Sequence, residues 1–180
     1  RICDEQTATL TPSSGGTWIS SMPSVATVSG NTATAVNNGT TTFTFTNALG
    51  CSDGVDLIVD PKPTVSAAQD TMCVGAVNQL SPSTGGTWNN TTTSIVFYNN
   101  VNKRITGLDA GTARLIFTES TTGCLSDTLD VEVEARPSIS YDPSDMCVGE
   151  TKQFTPTTGG VWLSSNSGVL TIDNGGLATA

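Results

Sequence analysis

The chain has 180 residues, 16 acidic against 7 basic side chains for a net charge of −9, and no histidine. A charge of that sign argues against nucleic acid and anionic membrane surfaces as partners, since both need a basic face. Without histidine there is no Ser-His-Asp or Cys-His catalysis and no His-containing metal centre. Frequent Thr and Val, with 18 Gly and 8 Pro as punctuation, favour an all-β chain of many turns. No stretch shows sustained helical periodicity, and no apolar run approaches the length of a membrane span. Nothing at the start resembles a signal peptide, and Arg1 leads directly into a cysteine-bearing segment, so the expectation is an excised piece of a longer protein.

Taken in chain order, the elements announce a repeat. Cys3 is followed by a short strand, Pro12 and the phrase SSGGTWISS at 13–21. Short strands then lead to a long alternating one over 40–47, a Gly-Cys step at Gly50-Cys51, and a closing strand VDLIVD at 55–60. Lys62-Pro63 marks a joint, where proline stops ladder pairing. The same order returns: MCVGAVNQLSP at 72–82, STGGTWNNT at 83–91, GTARLIFTESTTGC at 111–124 and TLDVEVE at 128–134, closed by Arg136-Pro137. In that last strand Leu129, Val131 and Val133 alternate with Asp130, Glu132 and Glu134, so one face is expected inward. A third copy opens with MCVGETKQFTP at 146–156 and TTGGVWLSS at 157–165, and Ala180 is reached before its long strand and its Gly-Cys. Cys3, Cys73 and Cys147 each precede Trp18, Trp88 and Trp162 by fifteen residues and Pro12, Pro82 and Pro156 by nine.

Periods of 70 and 74 residues, with about seven short strands in each, predict tandem immunoglobulin-like β-sandwich repeats in an elongated array. The expected domains are 1–61, lacking its leading strand; 62–136, complete; and 137–180, truncated. A sandwich without its last strands leaves a sheet edge and half a core uncovered.

Register suggests one bridge per complete repeat, Cys3 with Cys51 and Cys73 with Cys124, leaving Cys147 unpaired. Each would close about fifty residues and contribute roughly 4 kcal/mol to a small domain. Disulfides imply an oxidising compartment, so the chain is expected to be extracellular or at the cell surface. A thiolate metal site has neither a CxxC pair nor histidine to support it. Trp18, Trp88 and Trp162 are read as core residues, because immunoglobulin-like sandwiches bury a tryptophan between their sheets. Gly-Gly ahead of each Trp then supplies a tight turn or bulge. The competing reading makes each Trp a sugar-stacking platform, but its followers, Ile19-Ser20, Asn89-Asn90 and Leu163-Ser164, vary too much for one shared surface. Calcium at Asp53, Asp56 and Asp60, or at Asp142 and Asp145, is a weaker alternative, since no DxDxDG loop occurs and the positions do not recur. Otherwise no cofactor is expected. No pair of carboxylates brackets a cleft, so the chain is not expected to be an enzyme.

The pattern CVG…L.P..GGTW…GT..F.FT…GC…V.V.P resembles the bacterial immunoglobulin-like repeats of giant Bacteroidetes surface adhesins, of the gliding-motility type. The resemblance covers the first two repeats throughout and the third as far as it runs. It implies type IX secretion, attachment at the outer membrane, and a filament driven by the gliding machinery. It also implies O-glycosylation at Asp-Ser/Thr-apolar triplets, which places candidate sites at Thr71 and Thr128. The function expected is a structural stalk segment whose partners are neighbouring repeats of the same long chain. Surface polysaccharide would be met through other regions, with no nucleic acid and no membrane insertion.

Overall fold

A computed structural model describes every residue from Arg1 to Ala180. The chain is all-β, with no helix, and divides into two compact units, Arg1–Glu134 and Ala135–Ala180. The first two repeats lie in the first unit.

Repeat one contributes β1 (Ile2–Cys3), β2 (Thr7–Thr9), β3 (Gly16–Ser20), β4 (Ala26–Ser29), β5 (Thr32–Ala35), β6 (Gly39–Asn47) and β7 (Ser52–Asp60). These form two sheets, ordered β1-β7-β6-β3 and β2-β5-β4. Repeat two contributes β8 (Ser66–Ala67), β9 (Thr71–Cys73), β10 (Val77–Ser81), β11 (Gly86–Asn90), β12 (Val96–Asn99), β13 (Arg104–Gly107), β14 (Gly111–Glu119) and β15 (Leu129–Glu134). Its sheets run β12-β13-β10-β8 and β11-β14-β15-β9. Lettered in chain order, the first is D-E-B-A and the second C-F-G, the division of an immunoglobulin constant-type sandwich. The extra strand, β9, runs parallel to the last one, with Met72 opposite Val133 and Cys73 opposite Glu134. In repeat one β1 does the same, placing Cys3 opposite Asp60.

Each core draws on both sheets. In repeat two, Met72, Trp88, Leu115, Phe117, Val131 and Val133 meet Leu80, Val96 and Ile105. Alternation along β15 accounts for its part: Val131 and Val133 are buried while Asp130, Glu132 and Glu134 face solvent. The core of repeat one is lighter, with Ala26, Ala33 and Ala35 around Phe43, Leu57 and Val59. Thr41 is buried beside Phe43, and its hydroxyl is held by Ser20, Ser21 and the Met22 amide.

The second unit builds one sheet, β16 (Thr151–Gln153), β17 (Thr171–Ile172) and β18 (Leu177–Thr179), ordered β16-β18-β17. It corresponds to B-E-D of the complete repeats, and a bridge between Ser140 and Thr155 stands for the start of strand A. The segment around Trp162 forms no strand, and Val161 and Leu163 are exposed. Strand C of a complete repeat pairs with the long strand F, which this unit does not contain.

One backbone position separates the repeats. Two residues after the first cysteine, repeats two and three have glycine in the left-handed region, Gly75 at φ 83° and Gly149 at φ 90°, whereas repeat one has Glu5 at φ 65°. Left-handed backbone costs an L-residue about 1–2 kcal/mol, and glycine's greater freedom when unfolded returns about 0.5–1 kcal/mol of that. Gly75→Ala, at a position free of the ion pair that Glu5 makes with Lys62, is therefore expected to lower stability by about 0.5–1 kcal/mol, read as a lower midpoint at unchanged slope in urea unfolding.

Candidate functional site

Two places in the fold carry unusual chemistry: the corner built by the repeated tryptophan phrase, and the joint between repeats one and two.

The bond from proline carbonyl to tryptophan recurs in all three copies, while the phenylalanine on the ring comes from strand F in repeats one and two and from just after β16 in unit two. Pro12, Pro82 and Pro156 follow cis peptide bonds, and each proline carbonyl accepts the indole N–H of the tryptophan six residues on. The distances are 2.9 Å for Trp18, 3.0 Å for Trp88 and 2.9 Å for Trp162. Each ring also packs at an angle on a phenylalanine, with centroids 5.1 Å apart for Trp18–Phe45, 5.3 Å for Trp88–Phe117 and 5.7 Å for Trp162–Phe154. The glycine pair has two distinct tasks. Gly15, Gly85 and Gly159 take positive φ. Gly16 and Gly86 leave room for the opposite strand: a Cβ on Gly86 would lie 2.1 Å from the Thr118 carbonyl oxygen and 2.4 Å from the Phe117 ring.

The expectation of inward-facing tryptophans holds fully for Trp88, which is buried at 6% exposure. Trp18 and Trp162 are half-buried. Two coverings account for the difference, the leading strand on one side and strand F on the other. In repeat two Val65 and Ala67 pack on the cluster that contains Trp88, and β8 pairs with β10. In unit two the matching Ile139 and Tyr141 are present, Ile139 lining a cavity with Pro156 and Trp162 and Tyr141 stacking on Phe154, but strand F is not, and Trp162 is half-buried. Repeat one has no leading strand, and a cleft of about 320 Å³ opens between Leu10, Pro12, Trp18, Phe45 and Val55. The indole N–H is engaged in all three copies.

At the joint the pairing differs from the sequence expectation. The disulfide joins Cys3 to Cys124, with Cα atoms 5.6 Å apart, while Cys51, Cys73 and Cys147 are free and exposed. The expected Cys3–Cys51 and Cys73–Cys124 bridges are corrected, and the reason is register. Cys3 sits beside Asp60 at one end of β7, and Cys51 precedes Ser52 at the other. Nine residues of strand separate them by about 26–30 Å at ~3.3 Å per residue, far beyond the ~7 Å a disulfide spans. Cys73 beside Glu134 and Cys124 before β15 are divided in the same way. Bridging the neighbouring repeat is what the geometry permits.

Charge reinforces this joint. Lys62 donates to Glu5 of repeat one and, at 2.7 Å, to Asp127 of repeat two. Hydrogen bonds to Asp127 and then Glu5 push the Lys62 ammonium above its ordinary range. Arg1 donates to both carboxylate oxygens of Asp60, through Nε to Oδ2 at 2.9 Å and through Nη2 to Oδ1, and holds that carboxyl below its usual value. Pro63, Val65, Asp127 and Thr128 border a cleft beside Lys62. Sequence reading marked Lys62-Pro63 as a joint without assigning the clamp, because ion partners 57 and 65 residues away leave no local signal. The recurring interval of six between Pro and Trp was a signal for the corner, and it was read only as register.

The remaining candidates are dispersed. Asp56 accepts from the Thr42 hydroxyl at 2.7 Å and Asp142 from the Ser144 amide at 2.9 Å, and no three His, Cys, Asp or Glu side chains gather as metal ligands. Thr71 and Thr128 are both exposed, the first within β9 and the second just before β15. Glu119 closes the turn that delivers Cys124, accepting from the Thr122 hydroxyl and from the Thr121 and Thr122 amides. Those bonds, the Thr122 hydroxyl first, hold its carboxyl at about 2.

No protein-family model matches the chain, and no curated protein does. Among solved structures it is similar to surface layer protein SbsC, domains 1–6, at 14% identity over 92% of this chain and 24% of that one, with a TM-score of 0.30. It is also similar to murine CEACAM1b, at 13% identity over 74% of this chain and 95% of that one, TM-score 0.28. A third is the N-terminal eight immunoglobulin domains of Down syndrome cell adhesion molecule, at 12% identity over 99% and 34%, TM-score 0.26. The chain spans less than a quarter of the SbsC structure's length. Likenesses of this degree place no function on the chain, and the sandwich assignment rests on strand order.

Two predictions follow from the corner and the turn. Trp88→Phe keeps the ring stack and loses the bond to Pro82, at an expected cost of about 1–2 kcal/mol; Gly86→Ala should cost about 2–3 kcal/mol by overpacking, whereas Gly85→Ala, with open space around it, should cost only about 1–2 kcal/mol from its φ. Denaturant titration of the three variants tests that order. For Glu119 the folded pKa is depressed, so its stabilisation is full above about pH 4.5 and is lost as pH falls toward about 2. Glu119→Gln should accordingly flatten the pH dependence of stability in that window and leave the slope above pH 6 unchanged.

Proposed function

We propose that this chain is a stalk segment of a cell-surface adhesin, an elongated run of sandwich modules whose task is reach and resistance to pull. The observation that supports it most is the Cys3–Cys124 bond, which ties consecutive repeats to one another across their joint. Lys62 adds an ionic tie at the same place, and Pro61 and Pro63 on either side of it shorten the freedom of the link. In the chain-entropy account, closing a loop between cysteines 121 residues apart stabilises the folded unit by about 5 kcal/mol.

The reading places the segment outside the cell, where such a bond persists. The repeat phrases support membership among the giant Bacteroidetes surface adhesins, with neighbouring repeats of a longer chain as partners. Modification at exposed Thr71 and Thr128 belongs to the same proposal. The chemistry is mechanical rather than catalytic: load entering at Cys3 passes through the sulfur bond to the end of repeat two without stretching what lies between.

Pulling the oxidised chain by its two ends therefore tests the function. The residues between Cys3 and Cys124 should contribute no extension until a reductant is added. Reduction should then release about 400 Å from that 121-residue span, at ~3.3–3.6 Å per residue. Full extension of repeats one and two under oxidising conditions would remove the stalk mechanism.

A further inference from the structure

We propose that the end of repeat one carrying Cys51 is an interface for a preceding repeat of the same kind, sealed by a disulfide between Cys51 and that repeat's first cysteine. The inference rests on the tandem-stalk reading above and extends it from one bond to a rule: each repeat's first cysteine bonds the second cysteine of the next.

Cys51 and Cys124 leave the long hairpin at the same point. The Asn47 amide donates to the Cys51 carbonyl at 3.0 Å, and the Glu119 amide to the Cys124 carbonyl at 2.9 Å. A left-handed glycine precedes each, Gly50 at φ 84° and Gly123 at φ 76°. One acceptor side chain ties each turn, Asn47 to the Leu49 and Cys51 amides and Glu119 to the Thr121 and Thr122 amides. Cys51 thus sits in a socket of the same build as the one that holds the bonded Cys124. What differs is the cover: Cys124 is fully buried, while Cys51 is exposed beside Leu49, which is 89% exposed.

The complementary end is equally well defined. Cys73 repeats the placement of Cys3, opposite the last residue of its final strand. The next amide closes the same bond in both, Asp4 to Asp60 and Val74 to Glu134, each at 2.9 Å. Charge also fits. Lys62, ahead of repeat two, reaches Asp127, three residues past Cys124. Asp53 lies two residues past Cys51, ready for the Lys-Pro or Arg-Pro cation of a joint ahead of repeat one. Strand geometry forbids the alternative bridge inside a repeat, so Cys51 has no partner within its own module.

Bond formation needs an oxidant, and a small-molecule disulfide serves. One thiolate attacks it and expels a thiolate; the partner cysteine's thiolate then displaces the second half. Two protein thiols lose two protons and two electrons, and the small disulfide leaves as two thiols.

The experiment adds a module. A chain bearing a second copy of residues 62–144 ahead of Arg1, with Cys73→Ser in the original repeat, is refolded in a glutathione redox mixture, alkylated and cut before aspartate. The expected link joins the peptide of residues 4–52, which holds Cys51, to that of residues 70–108, which holds the added Cys73. Alkylated Cys51, or a link from 70–108 to 109–126 within the added repeat, would overturn the rule. The existing chain gives an independent arm. Cys3→Ser should raise free thiols from the three of Cys51, Cys73 and Cys147 to four, because Cys124 finds no partner in its own repeat. A fall to two, through a Cys73–Cys124 bond, would overturn it. A chain that resists extension when oxidised yet keeps Cys51 free in the added-module test retains the stalk and loses only this interface.

Discussion

The parallel pairing of the strand that carries the first cysteine with the last strand of its own repeat governs the rest of the structure. Two residues, Ile2 and Cys3, lie along Val59 and Asp60, and Met72 and Cys73 lie along Val133 and Glu134. That short contact sends the first cysteine to one end of the sandwich, while the F–G hairpin holds the second at the other. Everything at the joint follows. The sulfurs of Cys3 and Cys124 meet there, the cation that starts the next repeat meets carboxylates from both modules, and the bond that forms is shared by two repeats.

The tryptophan phrase belongs to the other half of the design, which is internal to each module. A proline carbonyl fixes the indole N–H, and in repeats one and two a phenylalanine from strand F lies against the ring while a residue without a side chain lets that phenylalanine cross. None of these contacts reaches another repeat. Trp88 shows the corner complete, with the leading strand over it, and Trp18 shows it open on one side. Trp162 has the leading segment beside it and no strand F, and it too is half-buried, so closing the corner takes both covers.

Much of this was legible before any coordinates. The period, the strand C tryptophan and the alternating last strand of repeat two are properties of spacing, and spacing survives in a sequence. Val131 and Val133 point inward for the reason their neighbours are acidic. The disulfide was not legible, because equal intervals between cysteines say which residues correspond and not which end of a sandwich each occupies. A two-residue strand such as β1 has no periodicity to read, and whether it pairs parallel or antiparallel decides the outcome. The clamp at Lys62 was hidden for a related reason: Glu5 and Asp127 come from different modules and are brought together by the stacking itself.

The ring of chain closed by Cys3 and Cys124 contains the joint at Lys62-Pro63. A single proteolytic cut anywhere inside that ring, at the joint or in an exposed loop, leaves both pieces covalently attached. One nick inside the ring therefore sheds nothing until a reductant opens the Cys3–Cys124 bond, whereas a cut at Arg136-Pro137, outside the ring, parts the chain at once.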